Sequence, residues 1–232
     1  MKAEEKTREQ LLMEVADLRQ HLAHLHSANN QEKKRLKQQV RSFKKLRHLL
    51  EGVLEVLESR DPHLGEHQRR VADLSCAIAQ EMGLSPEQIE ALSIAAMMHD
   101  IGKVFIPLEI LNKVDALNDA EIALIKTHPQ AGNFILQNHD FSWPVPQIVL
   151  QHHERLDGSG YPAGLRGEEI LLEAKILAVP DVIEAMTYSR PYRPNHGINK
   201  ALQEVSENRG VLYDPEVVKI CLTLFDNGFD FL

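Results

Sequence analysis

The segment AKILAVPDVIEAM, residues 174–186, sets the strongest limit on how this chain can fold. It is apolar enough that a helix built from it belongs in a core, yet it carries Asp181 near its middle. A buried carboxylate is tolerated only beside a cation or several donors. AAMMHDIGK, residues 95–103, poses the same problem, because an apolar run ends there in an imidazole and a carboxylate side by side. A fold that buries both segments has to bring compensating groups to both.

Around these two segments, helix follows helix. RDPHLGEHQRR punctuates the chain, with Asp61 as a cap and Pro62 suited to a first helical turn. HQRRVADLSCAIAQEMG ends at Gly83, and SPEQIEALSIAAMMHDIG opens with Ser85 as cap and Pro86 inside the first turn. NDAEIALIKTHPQAGNFILQN reads as one helix starting at Asn118 or Asp119. PVPQIVLQHHE, EEILLEAKILAVPDVIEAMTYS and DPEVVKICLTLFDN follow. No alternation of period 2 persists, so the body is expected to be all-α. The 232 residues allow one or two domains and a sizeable core.

Residues 1–58 read as a separate helical segment ahead of a body at 59–232. Leu11, Val15, Leu18, Leu22 and Leu25 recur at heptad-like steps, and after a break the pattern resumes at Leu36, Val40, Phe43, Leu46, Leu50, Val53 and Leu57. Such a stripe cannot bury itself, so the segment is expected to form a coiled coil, parallel or antiparallel, most simply in a homodimer. A single helix folding back on the body is the alternative. His21, His24 and His26 are expected to face solvent.

No run of 18 apolar residues exists, so no membrane span is predicted. The charged start lacks the apolar stretch of a signal peptide. Cys76 and Cys221 lie far apart in apolar helical patterns and read as buried thiols, which fits a cytoplasmic protein. The net charge of −8 is uneven: of 26 basic and 34 acidic residues, 12 and 6 fall in residues 1–50, leaving 14 and 28 for the rest. An acidic body argues against a nucleic acid polymer as partner, and the basic stretch KKRLKQQVRSFKKLR reads as a solvated helix face.

Histidines number 12, about twice the usual share. Several fall with Asp residues at or near expected helix ends: His67, His99 with Asp100, His128, His152 with His153, and Asp181. Each alone has a structural reading, such as a surface position on an amphipathic helix or a helix C-terminus attractive to a cation. Together, five imidazoles and two carboxylates suffice for two divalent metals of the Fe, Mn or Zn kind. Two such ions can share an activated hydroxide and clamp a phosphate for in-line displacement. No Cys ligands accompany them, which disfavours a structural zinc finger.

HDIGK at 99–103 together with HHERLDGSGYPAGLRGEEI at 152–170 resembles the HD-GYP subgroup of the HD-domain phosphohydrolase superfamily. The resemblance runs from about Arg60 to Phe225 and includes IKTHP at 125–129, ILAV and Asp181 at 176–181, and SRPYR at 189–193. HD alone is a weak signal; the full set in this order is specific. It implies an HD-domain helical bundle, and known members are bacterial phosphodiesterases of cyclic di-GMP.

Carried over position by position, the resemblance implies that His67, His99, Asp100 and Asp181 hold a first metal, with Asp100 bridging. His128, His152 and His153 would hold a second, the ions being Fe or Mn. Lys103 would point at the bound phosphate. Gly160, Tyr161 and Pro162 would lie over the site, and Arg190 and Arg193 would contact phosphate or guanine. Arg155 and Asp157 would brace the loop.

Two departures stand out. Some members carry a third metal with a Glu one helical turn before the first His; here that position is His63, and an exposed His near a helix start is the preferred reading. Pro180 stands inside the Asp181 helix, where it removes a hydrogen bond and can shift the carboxylate. Glu184 replaces the Asp of many members and reads as a tolerable change.

The expected function is hydrolysis of cyclic di-GMP by a metal-bound hydroxide to pGpG, and onward to GMP as an open second step. The alternatives are a module that binds cyclic di-GMP or a protein partner without turnover, and HD chemistry on another cyclic dinucleotide or a nucleoside phosphate. The N-terminal segment is expected to serve signalling or dimerisation, under an upstream sensor or regulator.

Overall fold

The computed structural model describes residues 7–8, 13–14, 16–22, 24–27, 29–31, 33–34, 52, 64–113, 115–141, 143–188 and 197–231. Its contacts divide the chain into residues 1–51 and 52–232. In the first unit the described residues from Arg8 to Lys34 are helical. Leu18, Leu22 and Leu25 of the heptad stripe are exposed, as are His21, His24 and His26. The stripe positions Leu11, Val15, Leu36, Val40, Phe43, Leu46, Leu50, Val53 and Leu57 lie outside the described residues, as do Asp61, Pro62, His63, Arg190 and Arg193.

The second unit is helical. Its elements are α1 (Leu64–Glu81), α2 (Pro86–Met98), a 3-10 turn (Ile101–Phe105), α3 (Leu108–Leu111), α4 (Asp119–Ile125), α5 (His128–Leu136), α6 (Val145–Gln151), a second 3-10 turn (Gly167–Glu169), α7 (Leu172–Thr187), α8 (Ile198–Glu207) and α9 (Pro215–Asp226). Among the described residues there is no strand, only the isolated bridges Asp157–Arg166 and Arg209–Tyr213.

The helix ends follow local chemistry. Ser85 accepts from Gln88 N while the Gln88 side chain accepts from Ser85 N, a closed capping box. Asn118 and Glu121 form another at the start of α4. Gly83, with φ +73°, stops α1. Helix α7 is the axis of the core: Glu173 to Asp181, Ile183 and Glu184 are all buried. It packs on α1 and α8, while α1 packs on α2. Leu74, Ile78, Leu92, Met98, Ile148, Ile176, Leu177 and Ile183 fill the space between. Pro180 costs α7 one backbone hydrogen bond, yet the helix runs through it.

Two expected helices are shorter than the sequence suggests. The stretch 118–138 is two helices, α4 and α5, because Pro129 has no N–H to donate to the Ile125 carbonyl. That carbonyl instead accepts from the His128 ring nitrogen Nδ1 at 2.8 Å. The expected helix at 168–189 opens inside a 3-10 turn, and α7 begins only at Leu172; Ile170 and Leu171 are extended, with Leu171 N donating to Gln151 Oε1.

Candidate metal centre

Three histidines reach the centre by one device. His99, His128 and His152 each stand one turn past carbonyls that a helix end leaves without intrahelical donors. Nδ1 of His99 meets Ala96 O at 2.7 Å, Nδ1 of His128 meets Ile125 O at 2.8 Å, and Nδ1 of His152 meets Val149 O at 2.6 Å. A carbonyl only accepts, so the proton sits on Nδ1 and the neutral ring offers a bare Nε2. All three rings are buried.

His67 reaches the same place from the first turn of α1. Its Nδ1 donates to Glu184 Oε2, which again leaves Nε2 bare. Glu184 Oε1 accepts from Arg70 Nε at 2.9 Å and Nη2 at 2.8 Å. The Arg70 guanidinium lies 3.8 Å over the Tyr188 ring. Burial raises the Glu184 carboxyl, but the hydrogen bond from His67 and the Arg70 charge outweigh it, and it lies below its ordinary value.

The bare nitrogens face one another. Nε2 of His67 and His99 are 3.3 Å apart, and so are Nε2 of His128 and His152. With the protons on Nδ1, each is a meeting of two lone pairs, which is repulsive unless a cation lies between them. Asp100 spans the two pairs: Oδ1 is 3.4 Å from His128 Nε2, while Oδ2 is 3.5 Å from His99 Nε2 and 3.8 Å from His67 Nε2. Asp181 Oδ1 is 3.4 Å from His67 Nε2 and 3.6 Å from His99 Nε2, and its Oδ2 is 3.8 Å from His153 Nδ1. Three triads have ligand atoms within 4.8 Å of each other: His67–His99–Asp181, His99–Asp100–His152 and His128–His152–His153. Buried imidazole nitrogens and carboxylates in this arrangement fit divalent transition metals.

Charge balance points the same way. Burial pushes His128 down to about 4 and His153 to about 3, and holds His152 well below its ordinary value. These rings are neutral at pH 7, the form a metal requires. His99 shifts the other way: burial pushes it down, but the negative charge of Asp100 and Asp181, which would attract a bound cation equally, more than offsets that and raises it. Burial also works to raise Asp100, yet Lys103, then His99, His128 and His67, hold it well below the ordinary range. Lys103 Nζ stands 2.6 Å from Asp100 Oδ2.

The 152–166 loop folds against this centre through Glu154, which is 3% exposed. Its Oε1 accepts from Ala163 N at 2.7 Å and its Oε2 from Leu165 N at 2.9 Å. Tyr161 N donates to His153 O, and the Tyr161 ring lies 4.7 Å from the His153 ring. Burial pushes the Tyr161 hydroxyl up. Gly160 fits because a Cβ there would lie 2.5 Å from Arg155 N, Glu154 Cα and His153 O. The Tyr161–Pro162 peptide is cis. Arg155 Nη1 donates to His152 O and Glu154 O, and Asp157 accepts from Ser159 N.

The fold thus brings His67, His99, Asp100, Lys103, His128, His152, His153 and Asp181 together, with Gly160, Tyr161 and Pro162 in the adjoining loop. Pro180 leaves the Asp181 carboxylate within reach of three imidazoles. Sequence reasoning missed Glu154, Arg70 and the part played by Glu184. One signal was available for Glu184: it is a second carboxylate in the same apolar helix, one turn beyond Asp181.

The family described as "HD domain" matches residues 52–217. A cyclic di-GMP phosphodiesterase of Thermotoga maritima is 42% identical over 180 residues, 74% of this chain and 48% of the relative. A 3'3'-cGAMP-specific phosphodiesterase of Vibrio cholerae is 39% identical over 147 residues, 63% of this chain and 34% of the relative. The chain spans half or less of the length of these relatives. Among solved structures, Bd1817, an HD-GYP protein of Bdellovibrio bacteriovorus, superposes with a TM-score of 0.58 at 22% identity, over 70% of this chain and 52% of that one, which shows the shared fold.

Proposed function

This chain belongs to the HD domain family, and from that premise we propose that it is a metal-dependent phosphodiesterase that opens cyclic di-GMP to the linear dinucleotide pGpG. The observation that carries the reading is the set of bare, mutually facing imidazole nitrogens around two buried carboxylates. His67, His99, Asp100 and Asp181 would hold one divalent ion and His128, His152 and His153 a second, with Asp100 shared; Fe or Mn suits this ligand set. When bound, such ions supply Lewis-acid charge at a phosphoryl oxygen and a water activated at neutral pH.

The protein's own groups do the rest. Lys103 lies against the shared carboxylate, where its ammonium offsets negative charge gathering on the phosphate. Tyr161, lying beside His153, presents a ring for a base to pack on and a protonated hydroxyl as donor. Arg190 and Arg193 would bind phosphate or guanine. Water adds across one P–O3′ bond: the phosphate stays on the 5′ oxygen and the 3′ oxygen leaves as a hydroxyl. The exposed Leu18, Leu22 and Leu25 stripe would pair with the same stripe of a second copy.

A second cyclic dinucleotide, 3'3'-cGAMP, is favoured by the Vibrio cholerae relative. The test is elemental analysis of protein purified without oxygen, with turnover of both dinucleotides measured on the same sample. Two iron or manganese ions per chain and appearance of pGpG are expected. Loss of 3'3'-cGAMP with cyclic di-GMP intact would reassign the substrate. No turnover of either by fully loaded protein would leave a binding module and overturn the enzyme reading.

A further inference from the structure

Of the four histidines that bare an Nε2 toward the centre, three give their Nδ1 proton to a backbone carbonyl, and His67 alone gives it to a carboxylate. That difference has chemical content. A carbonyl is a neutral acceptor, whereas a carboxylate draws the Nδ1 proton more strongly and makes the opposite nitrogen a better electron donor.

The carboxylate is itself built in. Glu184 is 2% exposed, and its two oxygens are divided between His67 and Arg70. His67 and Arg70 are one turn apart on α1, and Asp181 and Glu184 are one turn apart on α7. The two helices therefore present two rungs. One faces the metal centre, with His67 Nε2 3.4 Å from Asp181 Oδ1. The other lies behind it and joins Arg70 to Glu184. The second rung is fixed further by Glu66, whose Oε2 accepts from Arg70 Nη1 at 3.2 Å, and by the Tyr188 ring under the guanidinium.

We infer that Glu184, anchored by Arg70, is a positioning residue that fixes the tautomer of His67 and sets the affinity of the ion His67 would help to hold. The inference rests on the proposed reading of His67 as a ligand. Arg70 occupies the oxygen that His67 does not use through two hydrogen bonds, so the carboxylate stays aimed at Nδ1. The ion next to His67 is then the more tightly held of the two, because among the described residues His67 is the one of these imidazoles whose Nδ1 donates to a carboxylate.

Two substitutions separate charge from shape. Glu184→Gln keeps the size of the side chain and removes the charge; Glu184→Asp keeps the charge and shortens the reach. Manganese binding to the metal-free chain, measured by titration in competition with a chelator, is the readout. Thermal unfolding of each metal-free variant checks the fold. Loss of the carboxylate should weaken the tighter of the two sites about 10- to 100-fold. Glu184→Asp should stay closer to the parent than Glu184→Gln, because the charge is what acts through His67. If the parent chain binds two ions and Glu184→Gln binds both as tightly, the inference fails. It fails equally if Glu184→Gln outbinds Glu184→Asp, since packing alone would then explain Glu184. A parent chain that takes up no manganese, iron or zinc would sink the metal-centre reading itself, a distinguishable result.

Discussion

Gly102 and His128 lie so close that a Cβ on Gly102 would overlap the His128 carbonyl oxygen and stand 2.6 Å from Gly132 N. The turn after HD is thereby pressed against the start of α5, which keeps Asp100 in reach of His128 Nε2 at 3.4 Å. The obstructing atoms are backbone and cannot swing away. Gly102→Ala is expected to destabilise the protein by about 1–3 kcal/mol through overpacking. It should also weaken metal binding beyond what the lost stability explains. Denaturant unfolding and a metal titration on the same variant check both.

Glu154 holds the 152–166 loop through two backbone donors at residues 163 and 165. Glu154→Gln turns one acceptor into an NH₂ group facing an N–H. The loss of a charge-assisted bond is worth about 1.5–3 kcal/mol. The expected signature is local: faster amide hydrogen exchange across residues 156–166, with the α1–α2 core unchanged. Uniform loss of protection would show instead that Glu154 supports the whole fold.

Lys103 sits against Asp100, so its removal has two separable consequences. Lys103→Ala leaves Asp100 with one fewer competing cation, and metal affinity should hold or rise. Turnover of cyclic di-GMP should fall about 10²-fold if the ammonium stabilises charge in the transition state. Steady-state kinetics with saturating manganese would show the fall in kcat rather than KM. A variant that keeps its kcat would remove Lys103 from the chemistry.

Acid should destabilise the metal-free protein. Burial lowers His128 to about 4 and His153 to about 3, and lowers His152 strongly, from an ordinary 6.5. As pH falls through 6.5, the unfolded chain takes up protons at these positions and the native state does not, so stability drops. His99 is raised and acts in the opposite sense, one group against three. Each depressed histidine contributes up to about 1.4 kcal/mol per pH unit. The midpoint of thermal unfolding should therefore fall on the order of 5 °C or more between pH 7.5 and 5.5. A midpoint that is flat or rises over that range would contradict these ionisation states.

Much of this was legible in the chain itself. Helix caps are local chemistry, so Ser85, Asn118 and Gly83 could be placed from neighbouring residues alone. The buried-carboxylate problem at Asp100 and Asp181 called for compensating groups, and the five histidines at or near expected helix ends were candidates that the fold does gather around both carboxylates. The all-α class followed from periodicity. What sequence could not decide was which groups stand behind the ligands. Pro129 was visible, but not that the carbonyl it frees would accept the His128 ring proton. Glu184 passed as a tolerable replacement because its partners, His67 and Arg70, are more than a hundred positions away and meet it only when α1 lies against α7. Glu154 has no local signature, because its two backbone donors, at residues 163 and 165, meet it only once the loop closes. Local propensity acts between neighbours in sequence, so it can be read in one dimension. The aim of a side chain depends on packing between distant helices, and that exists only once the chain has folded.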